Sequence, residues 1–307
     1  MGSFAAALTP VLVLILVGFG LKRAAFLPAD TWPGMEKLTY FVLFPALLIG
    51  TLGNQSLEGV PWPGMLAVVV GTLAISATAL VLWYRIRPSL EGPTFTSIFQ
   101  GGVRFNTYIA LAVAQALFGF EGLTLAAVAA GLMIILINLL CVFVLIRYGK
   151  AANKGMTPYV REVVGNPLVL GCAVGWFLSL SGIGLPGITE DVLEIVGRAA
   201  LPFGLLAVGA ALKPEAVPGH AGSIAISSIV QFGLKPASAL LLIAGVGLSG
   251  VAAAVVLVAY MVPTAPSAYI LARQLGGDAE TMASIITFQT LLAFLVMPII
   301  AAVVLGA

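Results

Sequence analysis

Residues 103–119, VRFNTYIALAVAQALFG, and residues 260–276, YMVPTAPSAYILARQLG, are two apolar segments of the same kind, 157 positions apart in a chain of 307. The dipeptide Asn-Thr at 106–107 interrupts the first, and the run Pro-Thr-Ala-Pro at 263–266 interrupts the second. Interrupted membrane helices at corresponding places in two halves of a chain point to the binding site of a secondary transporter. The two segments therefore predict both the fold and the position of its site.

The composition excludes a water-soluble globule. Hydrophobic residues make up 61% of the chain, charged residues only 8%, and the mean hydropathy is +1.13. Apolar stretches near the roughly 20 residues that cross a bilayer recur along the whole sequence. They cover approximately 4–21, 34–53, 64–84, 94–118, 123–147, 165–181, 192–212, 222–246, 250–273 and 280–305. The chain is therefore predicted to be an integral membrane protein without a soluble domain.

These runs are long and continuous, which favours helices over the short alternating strands of a β-barrel. We interpret the first run as a retained span and not as a cleaved signal peptide, because it has no basic stretch before it and continues into Lys22 and Arg23. The predicted fold class is an all-α bundle of ten transmembrane helices.

The connections between the predicted spans divide by charge. The odd-numbered connections and their flanks carry Lys22, Arg23, Lys37, Arg85, Arg87, Arg147, Lys150, Lys154, Arg161, Lys213 and Arg273. The even-numbered connections, near 54–61, 119–122, 182–191 and 246–250, contain no Lys or Arg. Because cytoplasmic loops are enriched in basic residues, both termini are predicted to lie outside.

The two halves of the chain are predicted to be inverted repeats. At an offset of 157, three prolines in the first half fall on prolines in the second: Pro10 on Pro167, Pro45 on Pro202 and Pro61 on Pro218. Gly18 and Gly119 fall in the same way on Gly175 and Gly276. Five spans in each half mean that the second half enters from the opposite side. The predicted domains are residues 1–150, a short cytoplasmic linker at 151–164, and residues 165–307, with broken crossover helices as the fourth and ninth spans.

The break in the ninth span predicts a site for a cation, a proton or a polar substrate group. Pro263 and Pro266 have no N–H, so the carbonyls four residues earlier lose their helical partners. The candidate residues at this break are Ala259, Val262, Pro263, Thr264 and Ser267. A structural kink, with neighbours satisfying the freed carbonyls, is the alternative interpretation.

The break in the fourth span predicts a site of hydrogen-bond donors. Asn106 and Thr107 are its polar residues, although an interhelical hydrogen bond would also explain the asparagine. Arg104 is charged and deep, so it either attracts an anionic substrate or is paired in a water-filled vestibule. Lys235, in the middle of the eighth span, admits the same two interpretations, and is a candidate for the cation or proton site.

Acidic residues are informative by their positions. All twelve Asp and Glu fall in connections or near span ends. A sodium/proton exchanger needs a buried carboxylate, so the pattern favours a carrier whose substrate brings its own negative charge. Cys141 and Cys172 lie in apolar spans as packing residues, and no metal or nucleophile constellation suggests an enzyme.

Several motifs, in order, resemble the auxin efflux carrier family, which includes the plant PIN proteins and bacterial malonate and dicarboxylate carriers. The resemblance covers the whole chain. The motifs are Arg104-Phe105-Asn106-Thr107, Asn166-Pro167-Leu168, Ala200-Leu201-Pro202, Gly209-Ala210-Ala211-Leu212, Pro263-Thr264-Ala265-Pro266, Leu271-Ala272-Arg273 and Gly276-Gly277-Asp278-Ala279-Glu280. The long hydrophilic loop of the plant PIN proteins is absent, which argues against auxin as the substrate.

The resemblance implies a scaffold domain and a crossover transport domain, each drawn from both repeats, and a homodimer. It implies that Asn106 contacts a substrate carboxylate, that Asn166 belongs to the same site, and that Pro263 is the second crossover proline. We therefore expect an inner-membrane carrier of small organic anions, such as mono- or dicarboxylates or auxin-like acids, working by alternating access. The expected partners are the anion and the lipid bilayer, with no nucleic acid and no cofactor; H⁺ or Na⁺ is the candidate coupling ion. The alternatives are a bile-acid-type sodium symporter and a receptor with a transporter fold.

Overall fold

The computed structural model describes residues 2–54, 59–150 and 165–305, and every regular element in these ranges is a helix. The predicted linker at 151–164, with Lys154 and Arg161, lies outside the described residues. In chain order the α-helices are α1 Gly2–Arg23, α2 Thr31–Leu38, α3 Phe44–Gly53, α4 Trp62–Arg85, α5 Gly92–Val103, α6 Thr107–Tyr148, α7 Pro167–Leu180, α8 Thr189–Arg198, α9 Ala200–Ala211, α10 Ala221–Ile229, α11 Lys235–Val246, α12 Gly250–Met261, α13 Ser267–Leu275 and α14 Ala279–Leu305.

The helices confirm the prediction of an all-α integral membrane protein. Seven stretches of the described chain are long and apolar enough to cross a bilayer, and two shorter apolar helices, α7 and α12, accompany them. One of the seven, Gly92–Tyr148, has 57 residues, which is more than two crossings need. Within it α6 bends at Gly119, whose φ is +60° and ψ −144°.

Two turns of π-helix join α2 to α3 and α10 to α11. They cover Thr39–Leu43 and Val230–Leu234, and each ends two residues before a proline, Pro45 or Pro236. Proline has no N–H to complete the α-helical pattern, and π-bulges in helices are frequent at functional sites. Both helix pairs therefore continue in one direction across the irregular turn.

The chain leaves the helical conformation at the two predicted breaks. Arg104 has extended dihedrals between α5 and α6, and Val262 has them at the end of α12. The breaks meet: the Asn106 backbone N–H donates to the Pro263 carbonyl at 2.8 Å. Thus α5 and α12 end, and α6 and α13 begin, around one crossing point.

Glycines allow close packing of the helices around this crossing. A Cβ on Gly18 of α1 would lie 2.1 Å from the Leu206 carbonyl oxygen of α9. A Cβ on Gly175 of α7 would lie 2.8 Å from the Leu52 Cβ and 3.4 Å from the Ile49 Cα of α3. In the helix pairs α1–α9 and α3–α7, the two backbones therefore approach each other closely.

Candidate functional site

A cavity of about 270 Å³ opens beside the crossing. Its wall is formed by the start of α6, the start of α7, the start of α13 and one side of α2 with its π-turn. Its lining residues include Glu36, Lys37, Tyr40, Arg104, Asn106, Thr107, Tyr108, Asn138, Asn166, Pro266 and Ser267. A smaller recess of about 40 Å³ shares several of these residues, among them Arg104, Asn138 and Asn166.

Three helix N-termini converge on this cavity, and two have the same cap. The Asn106 Oδ1 accepts hydrogen bonds from the backbone N–H groups of Tyr108 and Ile109, at 3.1 and 3.2 Å. The Asn166 Oδ1 accepts in the same way at the start of α7, at 2.9 and 3.3 Å. The third N-terminus is that of α13, at Ser267. Helix N-termini carry partial positive charge and favour anions.

The asparagine cap decides what Asn106 can offer a ligand. From its sequence position the side chain was predicted to provide donors and an acceptor, but the acceptor is used by the helix. The side chain is 1% exposed, and its Nδ2 is buried with no hydrogen-bond partner in the part of the chain that the structure describes. Asn106 therefore presents a free N–H₂ group, which is a donor for an acceptor such as a carboxylate.

Arg104 adds a full positive charge to the same wall. Its Nη2 donates to the Ser267 hydroxyl at 3.3 Å, and the guanidinium also interacts with the buried Cys141 thiol. Its Nη1 is buried and has no oxygen or nitrogen acceptor among the described residues. A guanidinium with unpaired N–H groups is suited to bind a carboxylate. Ser267 thus orients the guanidinium from the second break, and Arg104 and Asn106 leave donors unfilled at one cavity.

The remaining residues predicted at the second break do not line the cavity. Thr264 is fully buried, its N–H donating to the Gln289 Oε1 at 3.2 Å. The Val262 carbonyl accepts from the Gln231 side-chain amide, and Ala259 is buried in the helix before it. Pro263 contributes its carbonyl to the crossing. These positions hold the two breaks together rather than facing the cavity.

Lys235, predicted as a candidate for the cation or proton site, lies behind the crossing with a fully buried side chain. Its Nζ donates to the carbonyls of Val103 and Arg104 and to the Gln231 Oε1, at 3.2, 3.1 and 2.9 Å. It is absent from the lining of the cavity.

Several site residues were not predicted from the sequence. Asn138 and Tyr40 line both the cavity and its recess, and Gln231 and Gln289 bind the backbone of the breaks. A polar side chain within an apolar run was a visible signal for Asn138, Gln231 and Gln289. Tyr40 carried no such signal, because its place depends on how α2 packs against the crossing.

A second and larger cavity, of about 640 Å³, lies on the other side of α6. Ala112 and Gln115 of α6, Leu47 and Gly50 of α3, and Leu201 of α9 are among its lining residues. Neither cavity includes Phe44, which lies in sequence between Phe41 of the smaller cavity and Leu47 of the larger one.

A stacked aromatic pair, Phe44 and Tyr108, lies beside the smaller cavity, which Tyr108 lines. The rings of Phe44 and Tyr108 stack with their centroids 4.2 Å apart. A Cβ on Gly204 would come within 3.0 Å of both rings. The absence of a side chain at Gly204 therefore lets the stacked pair pack against α9.

Comparisons with known proteins show which proteins this chain resembles. Residues 157–301 match the model of a family described as "Membrane transport protein". An uncharacterized transporter of Methanothermobacter thermautotrophicus is 26% identical, with 97% of each chain covered. An uncharacterized transporter of Methanocaldococcus jannaschii is 24% identical over 93% of this chain and 94% of its own. These matches confirm the predicted resemblance to the auxin efflux carrier family and the prediction of a transporter rather than an enzyme.

A solved structure shares the fold. The sodium proton antiporter of Methanocaldococcus jannaschii, solved at pH 8, aligns over 97% of this chain and 92% of its own. The TM-score is 0.51 and the identity is 14%. At this identity the likeness shows the fold alone.

Proposed function

We propose that this membrane transporter is a secondary carrier of small organic anions, mono- or dicarboxylates being the best match, which binds its substrate beside the crossing of α5–α6 and α12–α13. One observation carries the proposal: three helix N-termini meet at one cavity where, among the described residues, no oxygen or nitrogen accepts from the Arg104 Nη1 or the Asn106 Nδ2. Each is a donor or a positive charge, and a carboxylate would satisfy both.

Burial of charge favours an anion over a cation as substrate. Among the described residues, the buried charged side chains are Arg104 and Lys235, and none is an Asp or Glu. Cation exchange at the crossing would need a buried carboxylate, whereas Glu36, the acid that lines the cavity, is only half-buried, so we take no function for this site from the antiporter with the similar fold. Sodium-coupled symport of the bile-acid type is the alternative, with H⁺ and Na⁺ as candidate coupling ions.

We propose the ten-helix inverted repeat as the architecture behind this site, with Gly92–Tyr148 crossing twice. Reciprocal contacts support it. At the offset of 157, Gly18 corresponds to Gly175 and Ile49 to Leu206, and Gly18 contacts Leu206 while Gly175 contacts Ile49. Asn106 corresponds to Pro263, and these two residues hydrogen-bond to each other, as residues on a twofold axis would.

Alternating access follows from the two cavities. We assign the smaller cavity to the cytoplasmic side, because it is lined by Lys37, which flanks a connection rich in basic residues, and the larger to the outer side, because it is lined by Glu190 from the connection 182–191, which has no Lys or Arg. In this proposal the Phe44–Tyr108 pair is the barrier between them, and movement of the crossover helices past α3 and α9 would carry the site from one cavity to the other. Both termini then lie outside a cytoplasmic membrane, in a protein that we expect to pair as a homodimer.

Reconstitution tests the proposed function. Purified protein in liposomes should transport at least one anion from a panel of mono- and dicarboxylates under an imposed proton, sodium or voltage gradient. The gradient that drives uptake identifies the coupling ion. Flux of no anion under any of the three gradients would refute the carrier and favour a receptor with a transporter fold.

A further inference from the structure

The backbone carbonyls freed by the first break are already occupied by an ammonium group. The carbonyls of Val103 and Arg104, at the end of α5, have no following turn to bind. The Lys235 Nζ lies 3.2 and 3.1 Å from their oxygens. A helix C-terminus carries about half a negative charge, so a cation is favoured there.

The third acceptor around this nitrogen favours its ammonium form. The Val262 carbonyl can only accept, so the Gln231 amide must turn its nitrogen to Val262 and its oxygen to Lys235. Three oxygens therefore surround the Lys235 Nζ. An ammonium has three N–H groups for them, whereas a neutral amine would turn its lone pair toward one oxygen.

The neighbours of Lys235 offer no carboxylate. In the ranges 2–54, 59–150 and 165–305 the ion pair is Arg198 with Glu194, and Lys235 takes part in none. Beyond the three oxygens, the Tyr260 ring lies 5.5 Å from the Nζ and adds a cation–π contact, and the buried Cys141 thiol is near enough to interact with the charge. The charge is thus held by two carbonyls, one amide, one aromatic face and a thiol, without a carboxylate.

We propose that the Lys235 ammonium is a built-in cation that fills a monovalent-cation site at the ends of α5 and α12, so that the protein holds its crossing together without binding sodium. Gln231 extends the same site to the end of α12 through the Val262 carbonyl. The inference goes beyond the identity of the substrate, because it concerns how the breaks are stabilised. Sodium-coupled symport that uses this site is excluded by it.

Removal of the side chain should open the site to small soluble cations. The experiment measures the thermal unfolding midpoint of purified protein in sodium, methylammonium and choline chloride at equal ionic strength. Wild type should have the same midpoint in all three salts. Lys235→Ala should unfold roughly 5–10 °C lower in choline, because it leaves carbonyls unpaired, and should recover part of the loss in methylammonium or sodium.

Lys235→Met is the matched control, since it removes the charge but fills the space. It should be destabilised equally in all three salts. The built-in cation would be refuted if sodium or methylammonium raised the unfolding midpoint equally in both variants, or did not raise it in Lys235→Ala. A wild-type midpoint that rises in sodium over choline would also refute it, and that comparison holds even if Lys235→Ala does not fold. None of these readouts requires transport, so failure of the carrier proposal is detected separately in liposomes.

Discussion

At the scale of the residue, Asn106 combines two functions in one amide. Its oxygen caps α6 and its nitrogen is left free beside Arg104. Serine also caps helices well, but its hydroxyl is shorter and cannot place a second donor at the position of Nδ2. The two functions can therefore be separated by substitution.

Asn106→Ser should keep the fold and weaken anion binding. Loss of one hydrogen bond to a charged group costs about 1.5–3 kcal/mol, which corresponds to roughly a 10- to 150-fold rise in Kd. Titration calorimetry with the carboxylate that the liposome panel identifies measures the change. Unfolding midpoints close to wild type would show that the cap is retained, and wild-type affinity in the variant would remove Asn106 from the binding site.

The sequence indicated the crossing because polar residues and prolines stand out in apolar runs. It also indicated which carbonyls lose their partners, since Pro263 and Pro266 lack N–H groups. It could not indicate which side chains satisfy them: Gln231 and Lys235 reach the breaks from another helix pair, and only the packing brings them there. Val262 was accordingly predicted to be available to a cation, and is instead bound by Gln231.

At the scale of the element, helix contacts set by glycine hold the helices around the crossing. Gly18 lies against the backbone of α9, while Gly20 on the same helix has no heavy atom within 4 Å of its would-be Cβ. The two positions are matched in helix and residue type. They differ only in what an added methyl group would meet.

Gly18→Ala should lower the free energy of unfolding by about 1–3 kcal/mol, because α1 and α9 must separate to admit the methyl group. Gly20→Ala should be neutral or stabilising by up to about 1 kcal/mol through helix propensity. Thermal or denaturant unfolding in detergent compares the two. Equal effects at both positions would contradict the close contact of α1 with α9.

A second element-scale contact ties α14 to α5. The Asp278 carboxylate accepts from the Thr281 N–H and hydroxyl at 3.0 and 2.6 Å, and from the Thr94 hydroxyl at 2.9 Å. Although partial burial opposes it, these hydrogen bonds hold the pKa of Asp278 below its usual range. The charged form therefore stabilises the fold.

This contribution should depend on pH in one direction. The pKa of Asp278 is lower in the folded state than in the unfolded state. The stabilisation is therefore fully present at pH values above the unfolded-state pKa, and it is lost as the pH falls through the folded-state pKa. Asp278→Ala should cost about 0.5–2 kcal/mol near neutral pH, with a difference from wild type that shrinks in acid. Glu280→Gln is the control, because it removes the charge of an exposed acid two residues after Asp278. A pH-independent difference would show that the carboxylate charge does not matter.

At the scale of the whole molecule, the proposed alternating access depends on the stacked pair of Phe44 and Tyr108. Phe44 is fully buried and lies in sequence between Phe41 of the smaller cavity and Leu47 of the larger, so we propose this pair as the barrier between them. The pair was not predicted, because an apolar residue in an apolar span carries no distinguishing signal. The proposed repeat, by contrast, rests on the offset of prolines and glycines in the sequence, and one such pair, Gly119 and Gly276, has positive φ at both positions, 60° and 76°.

Phe44→Ala should make the carrier leaky. Removing the ring leaves an opening between the smaller and the larger cavity, and should lower the free energy of unfolding by about 3–5 kcal/mol. Downhill efflux of the carboxylate without a substrate on the other side should rise relative to wild type. Phe143→Ala, at an exposed position on α6, should leave efflux unchanged. Unchanged efflux in Phe44→Ala would move the barrier elsewhere.

The most direct test of the anion site at the crossing is exchange in liposomes without any gradient. Wild-type protein should exchange labelled for unlabelled carboxylate across the membrane, and Asn106→Asp, which retains the cap but places a negative charge at the free donor, should abolish that exchange. The contradicting result is carboxylate exchange by Asn106→Asp at the wild-type rate, or exchange of sodium for protons by wild type with none of any carboxylate.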